Sequence, residues 1–394
     1  YIVKHQCFVV SQACYRITNF MTKVHEEYME HALGLAVKAQ GRTSPNPMVG
    51  AVLVKDGHIV GEGFTRPAGG PHAEIVALTE AGVSAQGSTV YVTLEPCAHH
   101  GRTAPCADAL IAAGVKEVYS SIEDPNPDVH GKGHARLRDA GIPVHTGISQ
   151  SAAAEINKPF FKYVASGQPW VTGKFAVSLD GKLATNMGES QWITGEQSRQ
   201  RVHHIRNVTD AILVGAGTVL ADNPSLTTRL QDYNENIRNP LRIVVDSRGR
   251  VSPKARVYHP DTPGNSVLAT TSQTKPSHCK QLESQGVIIW NLPEDANGRV
   301  NLKSLLNKIG EEEMLTLLVE GGSEILGAFV ADGLLDQVCA FFAPIIIGGK
   351  DAPGPVGEPG IGRLADALHL SNIVTENIGD DILVKGDVVS DLHS

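Results

Sequence analysis

Apolar positions in this chain follow a helical period and a strand period by turns. Tyr28, Ala32, Leu35, Ala36 and Ala39 fall at helical spacing and predict an amphipathic helix after Met21. From Met48 onward short β-rich runs alternate with helical ones. Strands are predicted over Met48–Val54, Thr89–Leu94 and Glu117–Ile122, and helices over His72–Ala81 and Ala104–Ala113. A helix over Lys132–Ala140, a short strand over Pro143–Thr146 and a single helix over Ser151–Val164 complete the first half. Ser166-Gly167-Gln168-Pro169 then interrupts the pattern, which restarts with a strand at Trp170–Ser178. Further strands are predicted over Ala211–Val214, Leu241–Val245, Ser266–Ala269, Val287–Trp290, Leu315–Val319 and Gln337–Phe342, with helices over Glu196–Asn207, Leu302–Ile309 and Ser323–Ala331. Such alternation predicts an α/β layer fold in each half. The division expected is an extension over residues 1–20, a first domain over 21–167 and a second over 168–394. No internal repeat or low-complexity tract is present.

Length and composition narrow the function. A chain of 394 residues is long enough for two domains, each with its own core. Its formal net charge of -8 argues against a binder of nucleic-acid backbones, so a small-molecule substrate is expected. Six cysteines over this length are too few for a disulfide scaffold, and a reducing cytoplasm is expected. Tyr1–Phe20 carries a short apolar patch at Cys7–Val10 but neither the apolar core nor the small-residue cleavage site of an export signal, which makes Met21 a candidate natural start. No apolar run approaches the roughly 20 residues of a membrane span.

The chemistry is concentrated in His72-Ala73-Glu74, Pro96-Cys97 and, after eight intervening residues, Cys106. One histidine and two cysteines give three zinc ligands and leave the fourth tetrahedral position to water, the arrangement of a catalytic zinc. Glu74 is not needed as a ligand and is therefore free to carry protons between water and a leaving amine. Thiolates near helix N-termini are electrostatically favoured, which suits Cys97 and Cys106. Taken singly, His72 reads as a core histidine and the cysteines as small buried apolar residues. Together they favour a metal, with a structural zinc as the alternative to a catalytic one.

The spacing between the cysteines departs from the C-x-x-C of most zinc deaminases. The segment Thr93-Leu94-Glu95-Pro96-Cys97-Ala98-His99-His100-Gly101-Arg102-Thr103-Ala104-Pro105-Cys106 closely resembles the signature of the bifunctional riboflavin-biosynthesis deaminase/reductases. Pro45-Asn46-Pro47-Met48-Val49-Gly50, Asp124-Pro125-Asn126-Pro127, Ser178-Leu179-Asp180-Gly181, Gly188-Glu189-Ser190-Gln191-Trp192-Ile193-Thr194 and Ala221-Asp222-Asn223-Pro224-Ser225-Leu226-Thr227 resemble the same family, in its order. The resemblance implies a cytidine-deaminase-like α/β/α N-terminal domain and a dihydrofolate-reductase-like α/β C-terminal domain. The first would use Zn²⁺ to hydrolyse the 2-amino group of a phosphoribosylaminopyrimidine, and the second would use NADPH to reduce the ribose of the product to ribityl. It further implies that Asn46, His99 and Arg102 contact the first substrate, and that Lys174, Ser190, Arg206, Leu226, Arg229 and Glu320 face the second. Ala176, Trp192, Thr218, Asp222, Ser247 and Gly322 would line the NADPH site. Where many relatives carry a histidine shortly before the zinc histidine, this chain has Thr65. Relatives form dimers or tetramers, so a homo-oligomer is expected by analogy.

The residues of the second half say less by themselves. No strand-linked G-x-G-x-x-G occurs. Ile212–Thr218 and Leu318–Ser323 each run from an apolar strand through small residues toward a helix, the kind of turn that meets a phosphate with backbone N–H groups. Two arginines would suit a phosphate dianion. Against these enzymes stand a nucleic-acid base deaminase, disfavoured by the net acidity, and a catalytically dead zinc regulator, disfavoured by Glu74.

Overall fold

The computed structural model describes residues 23–98, 105–127, 129–230 and 237–389. The chain divides into two compact units, Tyr1–Ser166 and Gly167–Ser394.

In the first unit a helix over 23–37 (α1) leads into a hairpin of β1 (Gly50–Lys55) and β2 (His58–Phe64). Its two-residue turn, Asp56-Gly57, has positive φ at both positions, as the twist of a tight hairpin demands. After α2 (Ala73–Ala81) come β3 (Thr89–Val92), α3 (Cys106–Ala113), β4 (Glu117–Ser120), α4 (Lys132–Asp139), β5 (Val144–Thr146), α5 (Gln150–Ile156) and α6 (Lys158–Ser166). The sheet runs β2-β1-β3-β4-β5, antiparallel at the hairpin and at β1–β3, parallel from β3 to β5. Met29, Ala32, Leu33 and Leu35 of α1 and Ala153 of α5 pack with Val52, Val54 and Tyr91 on one face. On the other face α2 lies directly on β2, because Gly61 and Gly63 have no side chain there. A Cβ would fall 2.3 Å from the Ala77 carbonyl oxygen and 2.5 Å from that of Ala73. Those two glycines set the depth of the helix that begins at His72 and Glu74.

The helix expected over Ser151–Val164 is broken at Asn157, whose buried amide binds the backbone of Met48 twice. Met48 N–H donates to Oδ1 at 2.9 Å and Nδ2 donates to the Met48 carbonyl at 3.0 Å. β2 was not anticipated because its glycines dilute the apolar signal.

The second unit contains β6 (Trp170–Ser178), α7 (Glu196–Val208), β7 (Ala211–Gly215), α8 (Ala216–Asp222), β8 (Leu241–Val245), β9 (Ser266–Thr270), α9 (Pro276–Glu283), β10 (Ile288–Asn291), α10 (Leu302–Glu311), β11 (Thr316–Val319), α11 (Ser323–Ala331), β12 (Gln337–Ala343), β13 (Leu370–Ile378) and β14 (Asp381–Val388). Nine strands run in the order β10-β9-β8-β7-β11-β6-β12-β14-β13. From β10 to β12 all are parallel, and β14 and β13 add an antiparallel edge. Leu213, Ile243 and Val267 face a core shared with α10 and α11, while Ile212, Val214, Val244 and Leu268 face a second core that includes Leu282 of α9. Burial on both faces explains the near-continuous apolar runs of these strands. From β7 the chain moves outward to β8, whereas from β11 it crosses β6 to β12. The neighbours β7 and β11 therefore mark the switch point of the sheet, where open α/β folds hold ligands beyond the carboxyl ends of their strands.

Candidate active site

The first unit gathers three loops at one end of its sheet. β1 and β3 are antiparallel, with Ala51 opposite Val92, and Gly50 stands opposite Phe64 of β2. The segments around Asn46, Thr65 to His72, and Thr93 to Cys97 therefore leave from the same end. Buried Thr93 ties two of them: Gly50 N–H donates to its hydroxyl at 3.0 Å, and its own N–H donates to the Gly50 carbonyl at 3.0 Å. Thr65 fastens the third, with Val49 N–H donating to its Oγ1 at 3.1 Å. That hydroxyl closes the sheet end.

His72 is the residue before α2, Glu74 lies in the first turn, and Cys106 is the first residue of α3. Cys97 sits in the segment after β3 and accepts the Cys106 N–H at 3.4 Å, so the start of α3 stabilises the Cys97 sulfur as a thiolate. The ligand atoms of His72, Cys97 and Cys106 all lie within 4.8 Å of one another. His72 Nδ1 is 3.2 Å from the Cys106 sulfur and 3.7 Å from that of Cys97. A tetrahedral zinc with one nitrogen and one sulfur ligand places these atoms about 3.6 Å apart, so the donor set fits the metal.

The electrostatics agree. A hydrogen bond from Cys106 pulls the Cys97 thiol down to about 4 against the effect of burial, with His72 assisting. The same bond, burial and the Glu74 charge push Cys106 up. The pair thus holds one thiolate at neutral pH, and a divalent cation is the partner that releases the second proton. Burial raises Glu74 to about 7, with His72 opposing. A carboxyl poised there exchanges protons readily at neutral pH. His99 and Arg102, expected to touch substrate, lie outside the described residues.

In the second unit the structure brings together Lys174 of β6, Arg206 of α7 and Glu320, which follows β11. Arg206 donates from Nε and Nη2 to the two Glu320 oxygens at 2.8 Å each, and from Nη1 to the Thr227 carbonyl at 3.1 Å. Lys174 Nζ is 3.7 Å from Glu320 Oε2. Burial would raise the Glu320 carboxyl, but Arg206 and Lys174 hold it at about 2. The forked grip of Arg206 is made on Glu320. Exposed Arg229 donates from Nη1 to Ser225 Oγ at 3.3 Å. His203, one turn before Arg206 and not singled out by sequence, accepts the Arg229 N–H at 3.3 Å. Burial and the two arginines press its pKa down to about 4.

Ser190 donates to Asp222 at 3.1 Å, and Gly322 N–H donates to Thr218 Oγ1 at 2.8 Å across the β7–β11 switch point. Trp192 is 68% exposed with the Arg199 guanidinium 4.9 Å from its ring centre, so it is no core aromatic. Ala176 lies opposite Phe341 on neighbouring β12. Ser247 follows β8, and its hydroxyl accepts the Val300 N–H at 2.9 Å. Leu226 is a core residue. Its side chain is 3% exposed within the core under α8, on a backbone with φ of 56°, so any ligand contact falls to its main chain.

Comparison with known proteins follows the same division. A family model described as the cytidine and deoxycytidylate deaminase zinc-binding region matches residues 22–122, and the RibD C-terminal domain model matches 169–384. The chain is 43% identical over 366 residues to the riboflavin biosynthesis protein RibD of Escherichia coli, covering 91% of this chain and 97% of that protein. It is 41% identical to RibD of Aquifex aeolicus over 92% of this chain and 98% of that one. The solved structure of Acinetobacter baumannii RibD, form 1, superposes with a TM-score of 0.83 at 37% identity over 93% of this chain and 99% of that one. The Thermotoga maritima diaminohydroxyphosphoribosylaminopyrimidine deaminase/5-amino-6-(5-phosphoribosylamino)uracil reductase gives 0.80 at 36% identity, over 94% of this chain and 100% of that one. With a zinc-deaminase unit followed by the matching reductase unit, the chain belongs to the RibD family of bifunctional deaminase/reductases of riboflavin biosynthesis.

Proposed function

We propose that the first unit hydrolyses the 2-amino group of 2,5-diamino-6-(5-phosphoribosylamino)pyrimidin-4(3H)-one, and that the second reduces the resulting 5-amino-6-(5-phosphoribosylamino)uracil to its ribitylamino form. The observation that carries the first half is the meeting of His72, Cys97 and Cys106 within 4.8 Å, two residues from the buried carboxyl of Glu74. Zinc supplies a Lewis acid that activates water, and NADPH supplies the hydride. Glu74 takes a proton from the water whose oxygen adds to C2 and hands it to the exocyclic nitrogen, which leaves as ammonia. Asn46 offers a donor and an acceptor to the pyrimidine edge, and Arg102 suits the phosphoribosyl oxygens.

The second unit holds its cofactor beside the β7–β11 switch point, where Gly321 lies against Gly215 and Gly322 against Thr218. Small residues leave room for the dinucleotide there, and the space beside Gly217 is open to 4 Å. Thr218, Asp222, Trp192, Ala176 and Ser247 border it. Arg229 binds the substrate phosphate, Ser190 a sugar hydroxyl, and the Leu226 backbone the same chain. Lys174 supplies the proton that opening of the ribosylamine ring requires, and Glu320, oriented by Arg206, positions it as an ionised carboxylate. The reading takes the protein to be a cytoplasmic homo-oligomer, and no described helix is long and apolar enough to cross a membrane.

One zinc per chain is expected in metal analysis of the purified protein. Cys106→Ser should lose most of it together with deaminase activity, and a variant that kept both at full level would overturn the ligand assignment. In cofactor assays NADPH should outperform NADH, because Arg248 and the Ser247 hydroxyl border the crevice where a 2′-phosphate would lie. Equal kcat/KM for the two would remove that role from these residues.

A further inference from the structure

We propose that Glu95, which touches neither substrate nor metal, is a positioning residue that sets the geometry of the zinc ligand Cys97 through α4; the inference rests on the metal reading above. Glu95 is 4% exposed, yet among the described residues no cationic side chain hydrogen-bonds its carboxylate. It accepts four backbone N–H groups instead. Gly133 and His134 donate to Oε1 at 2.9 and 3.2 Å, and Gly131 and Asp124 to Oε2 at 2.9 and 3.2 Å. A buried carboxylate satisfied in this way locks the start of α4 onto the strand end two residues before Cys97.

The fit beside it is equally close. Gly133 packs on Pro96 so tightly that a Cβ would lie 1.8 Å from the Pro96 carbonyl oxygen. Farther along α4, Arg136 donates to the Ala98 carbonyl at 3.4 Å and pairs with Asp108 of α3. One helix without a ligand of its own therefore holds both the segment of Cys97 and the helix headed by Cys106. Groups behind the ligands commonly control metal affinity by roughly tenfold to hundredfold.

Glu95→Gln turns one of the two acceptor oxygens into a donor that faces backbone N–H groups. In the full-length protein it is expected to weaken zinc binding, measured by competition with a chromophoric chelator, by roughly tenfold to hundredfold. The cobalt-substituted protein should show altered thiolate-to-metal absorption, and deaminase kcat should fall more than KM changes. Gly133→Ala presses on the same contact with Glu95 intact and should give the same signature, which decides the matter if Glu95→Gln does not fold. Leu137→Ala is the control: this fully buried side chain of α4 makes none of the four hydrogen bonds to Glu95, so its loss should lower stability yet leave zinc affinity and the cobalt spectrum unchanged. Wild-type affinity and spectrum in both Glu95→Gln and Gly133→Ala, or an equal change in Leu137→Ala, would overturn the proposal while leaving the zinc site standing. A wild-type protein that binds no zinc would overturn the metal reading and this proposal with it.

Discussion

Glu74→Gln is expected to lower ammonia release by roughly two orders of magnitude or more while NADPH oxidation on the deaminated substrate continues at the wild-type rate. Glutamine keeps the size of the side chain, so the packing around a position 3% exposed is retained, but its amide cannot accept a proton from water. Zinc content should be unchanged, because the three donor atoms come from other residues. Lys174→Ala should give the mirror image, with reduction lost and deamination intact. The two residues lie in different compact units, which is the structural ground for separable effects. Loss of both activities in a folded, zinc-loaded Glu74→Gln protein would contradict the assignment of each reaction to its own unit.

Glu320→Gln is expected to be the most destabilising single change in the second unit, costing about 3–5 kcal/mol in urea-induced unfolding. The carboxylate is 9% exposed and faces Arg206 at 2.8 Å and Lys174 at 3.7 Å, so its removal leaves two mostly buried cations without the counter-charge they share. The pH dependence has a definite sign. The folded carboxyl is held at about 2, below its unfolded value of about 4.3, so its contribution is fully present above that unfolded value and is lost as pH falls through the folded one. The difference between wild type and variant should therefore be flat from about pH 6 to 8 and shrink only in acid. A difference that vanished at neutral pH would show that the ion cluster does not form.

The zinc triad was legible because its signal is local: residue type, order and spacing within one stretch of chain announce three ligands and a proton carrier. The parallel strands of the second unit were legible for a related reason, since burial on both faces leaves unbroken apolar runs such as Ala211 to Val214. The hairpin of β13 and β14 was missed because nearly all of β13 is exposed, which leaves no buried face to write a pattern. The break at Asn157 was missed because the cause, Met48, is 109 positions away. Arg206 was read as facing the phosphorylated substrate, and its pairing with Glu320 was not foreseen, for the same reason. Its type was informative, but the carboxylate that claims it stands 114 positions later. His203 gave no signal at all, and Glu95 stood in the signature without a role, since each acquires its partners only when distant segments are packed together.

The most direct test of a zinc-dependent deaminase and a zinc-independent reductase in one chain is to assay both on a single preparation of the full-length protein before chelation, after it, and after zinc is returned. Chelation should abolish ammonia release and leave NADPH oxidation unchanged, and stoichiometric zinc should restore the first. Ammonia release that survives complete metal removal, or NADPH oxidation that falls and recovers in step with zinc, would contradict the account.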